Sequence, residues 1–210
     1  MHDLRAARWG LGLLLVVVVV VVIGAGGYLV LARPGTEDRA NSEDTSPTQT
    51  ATVPATLSAE EQALRDAALS TPKPERPAGM DEFTVEGAAF AGEYFLLLYP
   101  YVYATGDLEP WQAMSDPGCV FCNNVMAKVT DMHSTGGWLD PWQQEAVAEH
   151  YGVSEEDPNL LAMSFRFSHP ESVDHDGLGG TRTAKGEDII LVLQMRWTGQ
   201  AWVIEEGQVQ

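Results

Sequence analysis

The chain of 210 residues predicts an α+β fold, with roughly three helices followed by antiparallel strands, all behind one membrane-spanning helix. Three observations predict it. An uncharged apolar run fills Trp9 to Ala32. Apolar residues then recur at helical spacing over 82–104: Phe83, Phe90, Tyr94, Leu97, Leu98 and Tyr101. After residue 160 the period changes to two, as in Leu161, Met163, Phe165 and Phe167. Helices first and strands afterwards give segregated layers rather than alternating βαβ units.

Residues 1–8 read as a short cytoplasmic tail with Arg5 and Arg8. Residues 9–32 read as a transmembrane helix. At ~1.5 Å per residue they would cover about 36 Å, enough for the ~30 Å hydrocarbon core with some tilt. A helix lets one isolated segment satisfy its backbone in lipid. The alternative is a cleaved signal peptide ending at Val30-Leu31-Ala32. The run is longer than the roughly 7–15 apolar residues of such peptides, and no cysteine follows it for acylation. It is therefore read as an uncleaved signal anchor. Arg5 and Arg8 precede it and Arg33 and Arg39 follow, so the positive-inside count is nearly tied. The short tail favours the N-terminus inside and the C-terminal part outside.

Residues 33–76 read as a disordered stalk. Arg33 to Thr56 is too polar to offset the entropy of ordering. Ser58 and Glu61 form a capping box for a short helix at 58–69, whose thin stripe of Leu57, Leu64 and Leu69 suits a helix that forms weakly, or only against the domain or a partner. Pro72, Pro74 and Pro77 suit a polyproline II spacer. The extracytoplasmic domain is expected over 77–210, an ordinary single-domain size.

Within it, the helix over 82–104 should end at a Gly106 C-cap, with a kink or early stop near Tyr99 because Pro100 falls inside. Glu109–Ser115 and Cys119–Ser134 are the next helices, the latter ended by Gly136-Gly137. Residues 138–151 are ambiguous, with a strand favoured. Ile189, Leu191, Leu193, Met195 and Trp197 mark a strand. Gly199-Gln200 then turns into Trp202-Val203-Ile204, and Asp176-Gly177 marks another turn. A sheet with one apolar face needs cover on that face, and the helices are available for it.

The block Glu86-Gly87-Ala88, Tyr94-Phe95, Tyr103-Ala104-Thr105-Gly106-Asp107, Cys119-Val120-Phe121-Cys122 and Gly136-Gly137-Trp138 resembles an uncharacterised domain family. Its members are cell-envelope membrane proteins and lipoproteins of actinobacteria. The likeness covers residues 77–205. It implies an NTF2-like cone, with helices packed on a strongly curved antiparallel sheet, and an envelope location. It implies no activity. Many such proteins look like lipoproteins. Here the first cysteine is Cys119, so the helix at 9–32 must anchor the chain.

The formal charge of −18 disfavours nucleic acid and anionic headgroups as partners. Cys119 and Cys122 are the only cysteines. Their spacing suits a small disulfide ring at a helix start. Thiol redox chemistry and a zinc site with His133 are the alternatives, the latter short of ligands. Asp107 reads as a cap between two helices. NTF2-like enzymes place acids in the mouth of the cone, so the resemblance makes Asp107 and Asp131 the acid/base candidates. A pocket between helices and sheet would be lined by Tyr94, Asp107, Asp131, Trp138 and Trp197, although aromatic core packing is the plainer reading. His175 sits in Asp174-His175-Asp176-Gly177, but the register fails for a calcium loop, which leaves a hairpin turn. No phosphate loop, dinucleotide fingerprint or nucleophile elbow occurs, and no metal or cofactor is expected.

The expected protein is thus a single-pass plasma-membrane protein with a non-catalytic binding or interaction module outside. Its partners would be the bilayer through 9–32 and an envelope protein, wall component or small ligand. A homodimer through the sheet is a further expectation. The competing readings are a pocket enzyme using Asp107 or Asp131 and a thiol-redox accessory protein using Cys119 and Cys122.

Overall fold

The computed structural model describes residues 57–210 and a two-residue strand, β1 (Arg5–Ala6). The expected transmembrane helix at 9–32 and the stalk up to residue 56 lie outside the described residues. Among the described residues no helix is long and apolar enough to cross a membrane.

The first helix, α1 (Ala59–Leu69), opens on the expected capping box. Ser58 Oγ accepts from the Glu61 amide at 3.2 Å, and Glu61 Oε2 accepts from the Ser58 amide at 2.7 Å. This segment was expected in the stalk, as a helix forming weakly or only against the domain or a partner. Ala68 is fully buried in a small cluster with Ala104 and Trp138, against which Leu57 packs. An alanine lets the helix approach closely without a long apolar stripe, so the folded unit begins before residue 77.

Helix α2 (Val85–Thr105) is apolar on nearly all sides and is buried along most of its length. Thr84 Oγ1 caps its start by accepting from the Gly87 amide at 2.9 Å. Gly106, at φ +75°, closes it in the left-handed conformation, as expected. The stop near Tyr99 does not occur. Pro100 lacks an N–H and frees the Leu96 carbonyl, but the buried Gln144 amide donates to that carbonyl at 2.7 Å. The helix therefore runs on through Pro100 to Thr105.

Helix α3 (Glu109–Ala113) is a short turn with Pro110 in its first turn, ending earlier than Ser115. Helix α4 (Val120–Ser134) has Cys119 as N-cap, its Sγ accepting from the Cys122 amide at 3.0 Å. The Glu206 carboxylate also accepts from the Val120 and Phe121 amides, at 3.2 and 3.0 Å. A negative charge at a helix N-terminus is the favourable placement.

The strands β2 (Trp138–Leu139), β5 (Ser172–His175) and β6 (Thr181–Ala184) form a small antiparallel sheet in that order. The larger sheet contains β3 (Glu145–Val153), β4 (Leu160–His169), β7 (Glu187–Trp197) and β8 (Trp202–Val209). Its order is β1-β3-β4-β7-β8, antiparallel except for β1, which lies parallel to β3 at His150 and Tyr151. Register shifts leave Glu149 of β3 unpaired between Ala148 and His150, and Glu205 of β8 unpaired opposite Gln194 and Met195, and these bulges bend β3 and β8.

The register sorts the side chains by face. Leu161 lies opposite Met195, Met163 opposite Leu193, and Phe165 opposite Leu191, and all six are buried under the helices. Residues between them face the other way. There Arg166 pairs with Glu149 at 2.6 Å, and Arg196 pairs with Asp157 and Glu205. The helices sit very close to the apolar face. A Cβ on Gly92 of α2 would lie 2.1 Å from Phe165 Cζ, so only glycine fits there. Helices packed on antiparallel sheets make this an α+β fold, as the sequence predicts.

Candidate functional site

The small sheet carries the chemically richest cluster. Gly137 precedes β2, and a Cβ there would meet the His175 carbonyl at 2.6 Å. That close approach brings Trp138 onto β5, opposite His175 in the register. The indole and imidazole stack with centroids 4.3 Å apart and planes at 7°. His175 Nε2 lies 3.0 Å from Asp140 Oδ1, and His175 is only 5% exposed. The carboxylate fixes the orientation of the imidazole. Trp138 is 1% exposed, yet among the described residues its Nε1 has no hydrogen-bond partner. An unmade bond at a buried donor costs about 1–3 kcal/mol.

Beside this cluster the β5–β6 hairpin forms a shallow depression lined by Asp174, Asp176, Gly180, Thr181 and Arg182. Asp174 and Arg182 pair across it. Asp176 Oδ1 accepts from the Leu178 and Gly180 amides at 2.7 and 2.9 Å, which holds its carboxyl below the usual range. The expected turn is therefore present, closed by its own aspartate. Among the described residues no group of three or more His, Cys, Asp or Glu could hold a metal ion.

The five residues expected to line one pocket are not brought together. Tyr94 is buried in the main core, with the Arg76 guanidinium 5.7 Å from its ring centroid. Trp197 stacks on the exposed Phe83 at 5.4 Å and packs at the margin of the same core. Trp138 belongs to the separate small cluster. Asp107 Oδ2 accepts from the Tyr101 hydroxyl at 2.6 Å, and its Oδ1 accepts from the Glu109 amide at 3.1 Å. Both oxygens are thus engaged at the turn between α2 and α3, but the N-cap of α3 is Leu108, without a side-chain cap bond, so Asp107 is not that helix's cap. Asp131 is exposed on α4.

The nearby phenols are donors, not bases. Burial, then the bond to Asp107, pushes Tyr101 up to about 12. Burial, then Tyr99, also raises Tyr103. Cys119 and Cys122 form a disulfide with both residues fully buried. Trp111 Nε1 donates to the Cys122 carbonyl at 3.3 Å and ties the ring to α3.

Asp140 and Gln144 were not singled out by sequence. Gln144 had a readable signal, because Pro100 frees one carbonyl and a buried donor must answer it. Nothing in the sequence pairs Asp140 with His175, since that needs the β2–β5 register.

A family profile described as a family of unknown function, DUF6318, matches residues 53–208. The chain belongs to the DUF6318 family. The match begins ahead of α1, in agreement with α1 being seated on the DUF6318 domain. No curated protein matches the chain. Among solved structures, the intermembrane space region of the chloroplast protein ARC6 is similar at 12% identity and TM-score 0.48, covering 58% of this chain and 95% of that one. A variant titled Rd1NTF2_05 matches at 14% identity and TM-score 0.37, covering 60% of this chain and all of that one. A protein from Catenulispora acidiphila matches at 12% identity and TM-score 0.35, covering 60% and 94%. At these TM-scores the likenesses carry no argument about the DUF6318 domain.

Proposed function

We propose that this protein is a membrane-anchored extracytoplasmic domain, acting as a non-catalytic binding or interaction module at the cell envelope. The observation that carries the reading is the filled interior. Phe95 and Trp111 from the helices and Met163, Phe165 and Leu193 from the sheet are fully buried between the two layers. That is the space in which an NTF2-like cone, the architecture we favour, would hold a substrate. The spent oxygens of Asp107, the exposure of Asp131 and the closed, buried cysteine pair speak against the acid/base and thiol readings. The partner is an envelope protein, a wall component or a small ligand met on the domain's surface.

The anchor is the helix at 9–32. A chain crossing the bilayer once there puts Arg5 and residues 57–210 on opposite sides. The β1–β3 pairing and the span therefore exclude one another, and the anchored protein has a bare β3 edge. A homodimer through the sheet would form at that edge.

The test compares the full chain with one lacking residues 1–33, by membrane fractionation and by protease added to intact cells. The full chain should sediment with membranes and lose its domain to the protease, while the shortened chain should be released. A shortened chain that stays with the membrane, or a full chain resistant outside but digested after lysis, would overturn the reading.

A further inference from the structure

We propose that α1 is a cover that swings off the domain as a unit and thereby exposes the stacked Trp138 and His175, beside the partly exposed Asp140. Five observations carry it. The face α1 turns to the domain is thin: Ala68 is its one buried residue, while Leu57, Glu61 and Arg65 are half-buried and Leu64 and Leu69 point to solvent. A helix of 11 residues has little stability of its own in water, so this contact decides whether it stays. Its buried contacts lie in a cluster separate from the main core, so losing them leaves the core intact.

The pivot is visible as well. Arg76 is fixed by an ion pair to Asp81 at 2.8 Å and by the Tyr94 ring, so the chain is held again just after the helix. Between the helix and that point lie Thr71 to Glu75, with Pro72 and Pro74; the bonds described there, from the Thr71 amide and hydroxyl to the Ala68 carbonyl, both run back to α1 itself.

The closed state also leaves a donor unused. Among the described residues Trp138 Nε1 has no acceptor, and it is buried in the cluster that Ala68 and Leu57 help to seal. Opening gives that N–H to water or to a partner's acceptor. The uncovered surface offers an indole donor with an imidazole and a carboxylate behind it. The indole and the imidazole are what the closed domain withholds, since the Asp140 side chain is already 35% exposed, and the inference stands whether or not residues 9–32 cross a membrane.

The experiment follows amide and indole exchange by NMR on the full chain in lipid nanodiscs. The Arg65 to Leu69 amides and the Trp138 indole N–H should exchange together, at least about tenfold faster than the Met163 and Leu193 amides. Ala68→Glu should speed the first group about a further tenfold and leave Met163 and Leu193 unchanged. The milder Leu57→Ala should do the same by a few-fold. A Trp138 N–H that exchanges in step with Met163 and Leu193 would overturn the proposal. So would variants that speed the core equally or leave the indole unaffected.

Discussion

Pro100 and Gln144 are far apart in sequence and answer one another. The proline leaves the Leu96 carbonyl without a helical donor, and the Gln144 amide fills the vacancy while its own oxygen accepts from Trp142 Nε1 at 3.3 Å. Gln144→Leu should therefore lower stability by about 1–3 kcal/mol in urea denaturation. Adding Pro100→Ala restores the N–H and should recover at least half of that loss. Additive effects in the double variant would refute the pairing. Gly92→Ala is the sharper steric test, because its Cβ would penetrate the Phe165 ring. A loss of at least about 1–3 kcal/mol is expected, partly relieved by Phe165→Leu. At this scale the sequence is legible where the demand is local. Gly106 shows its role as a cap, and so does Ser58. Trp138 could be picked out as an aromatic and His175 as part of a turn, but their pairing could not, since a contact made by register leaves no mark near either residue.

Among the elements, α2, α4, β4 and β7 were legible because each is long enough for its period to repeat, while β8 was read only at its start, Trp202 to Ile204, from the turn before it. The small sheet was not, because strands of two and four residues carry no period. Helix α1 was visible from its capping box, but its docking through one alanine was not. The disulfide belongs to this scale, since it fastens α4 to the turn before it. In the folded protein, thiol reagents should not label Cys119 or Cys122 until reductant is added, because both are bonded and fully buried. Ready labelling without reductant would refute that state. Replacing both by serine should cost at the low end of the ~0–5 kcal/mol range, since the closed loop is short.

For the molecule as a whole, the charge of −18 makes self-repulsion a permanent opponent of compactness. Salt should raise the urea midpoint at neutral pH by screening it. Acid should act through particular carboxylates. Asp157 is held low by its bonds to Arg196 and then to the Asn159 amide, Glu61 by Ser58, and Asp176 by Leu178 and Gly180. A depressed folded value means stability that is fully present above the unfolded value, about pH 4, and is lost as pH falls through the folded one. The urea midpoint should thus fall on the acid side of about pH 4, and Asp157→Asn should flatten that fall. An unchanged slope in the variant would remove Asp157 from the account.

The placement of β8 bears on how the protein is made. This last strand pairs with β7, bridges Ser115 at Ile204, and supplies the Glu206 carboxylate at the start of α4. The Ile204 carbonyl lies 4.0 Å from Cys122 Sγ. Synthesis runs from the other end, so α2, α4 and β7 emerge before the strand that joins them. During that interval the two thiols lie open, and afterwards they are sealed. Whatever oxidises them has its best access to a nascent chain still missing its final strand.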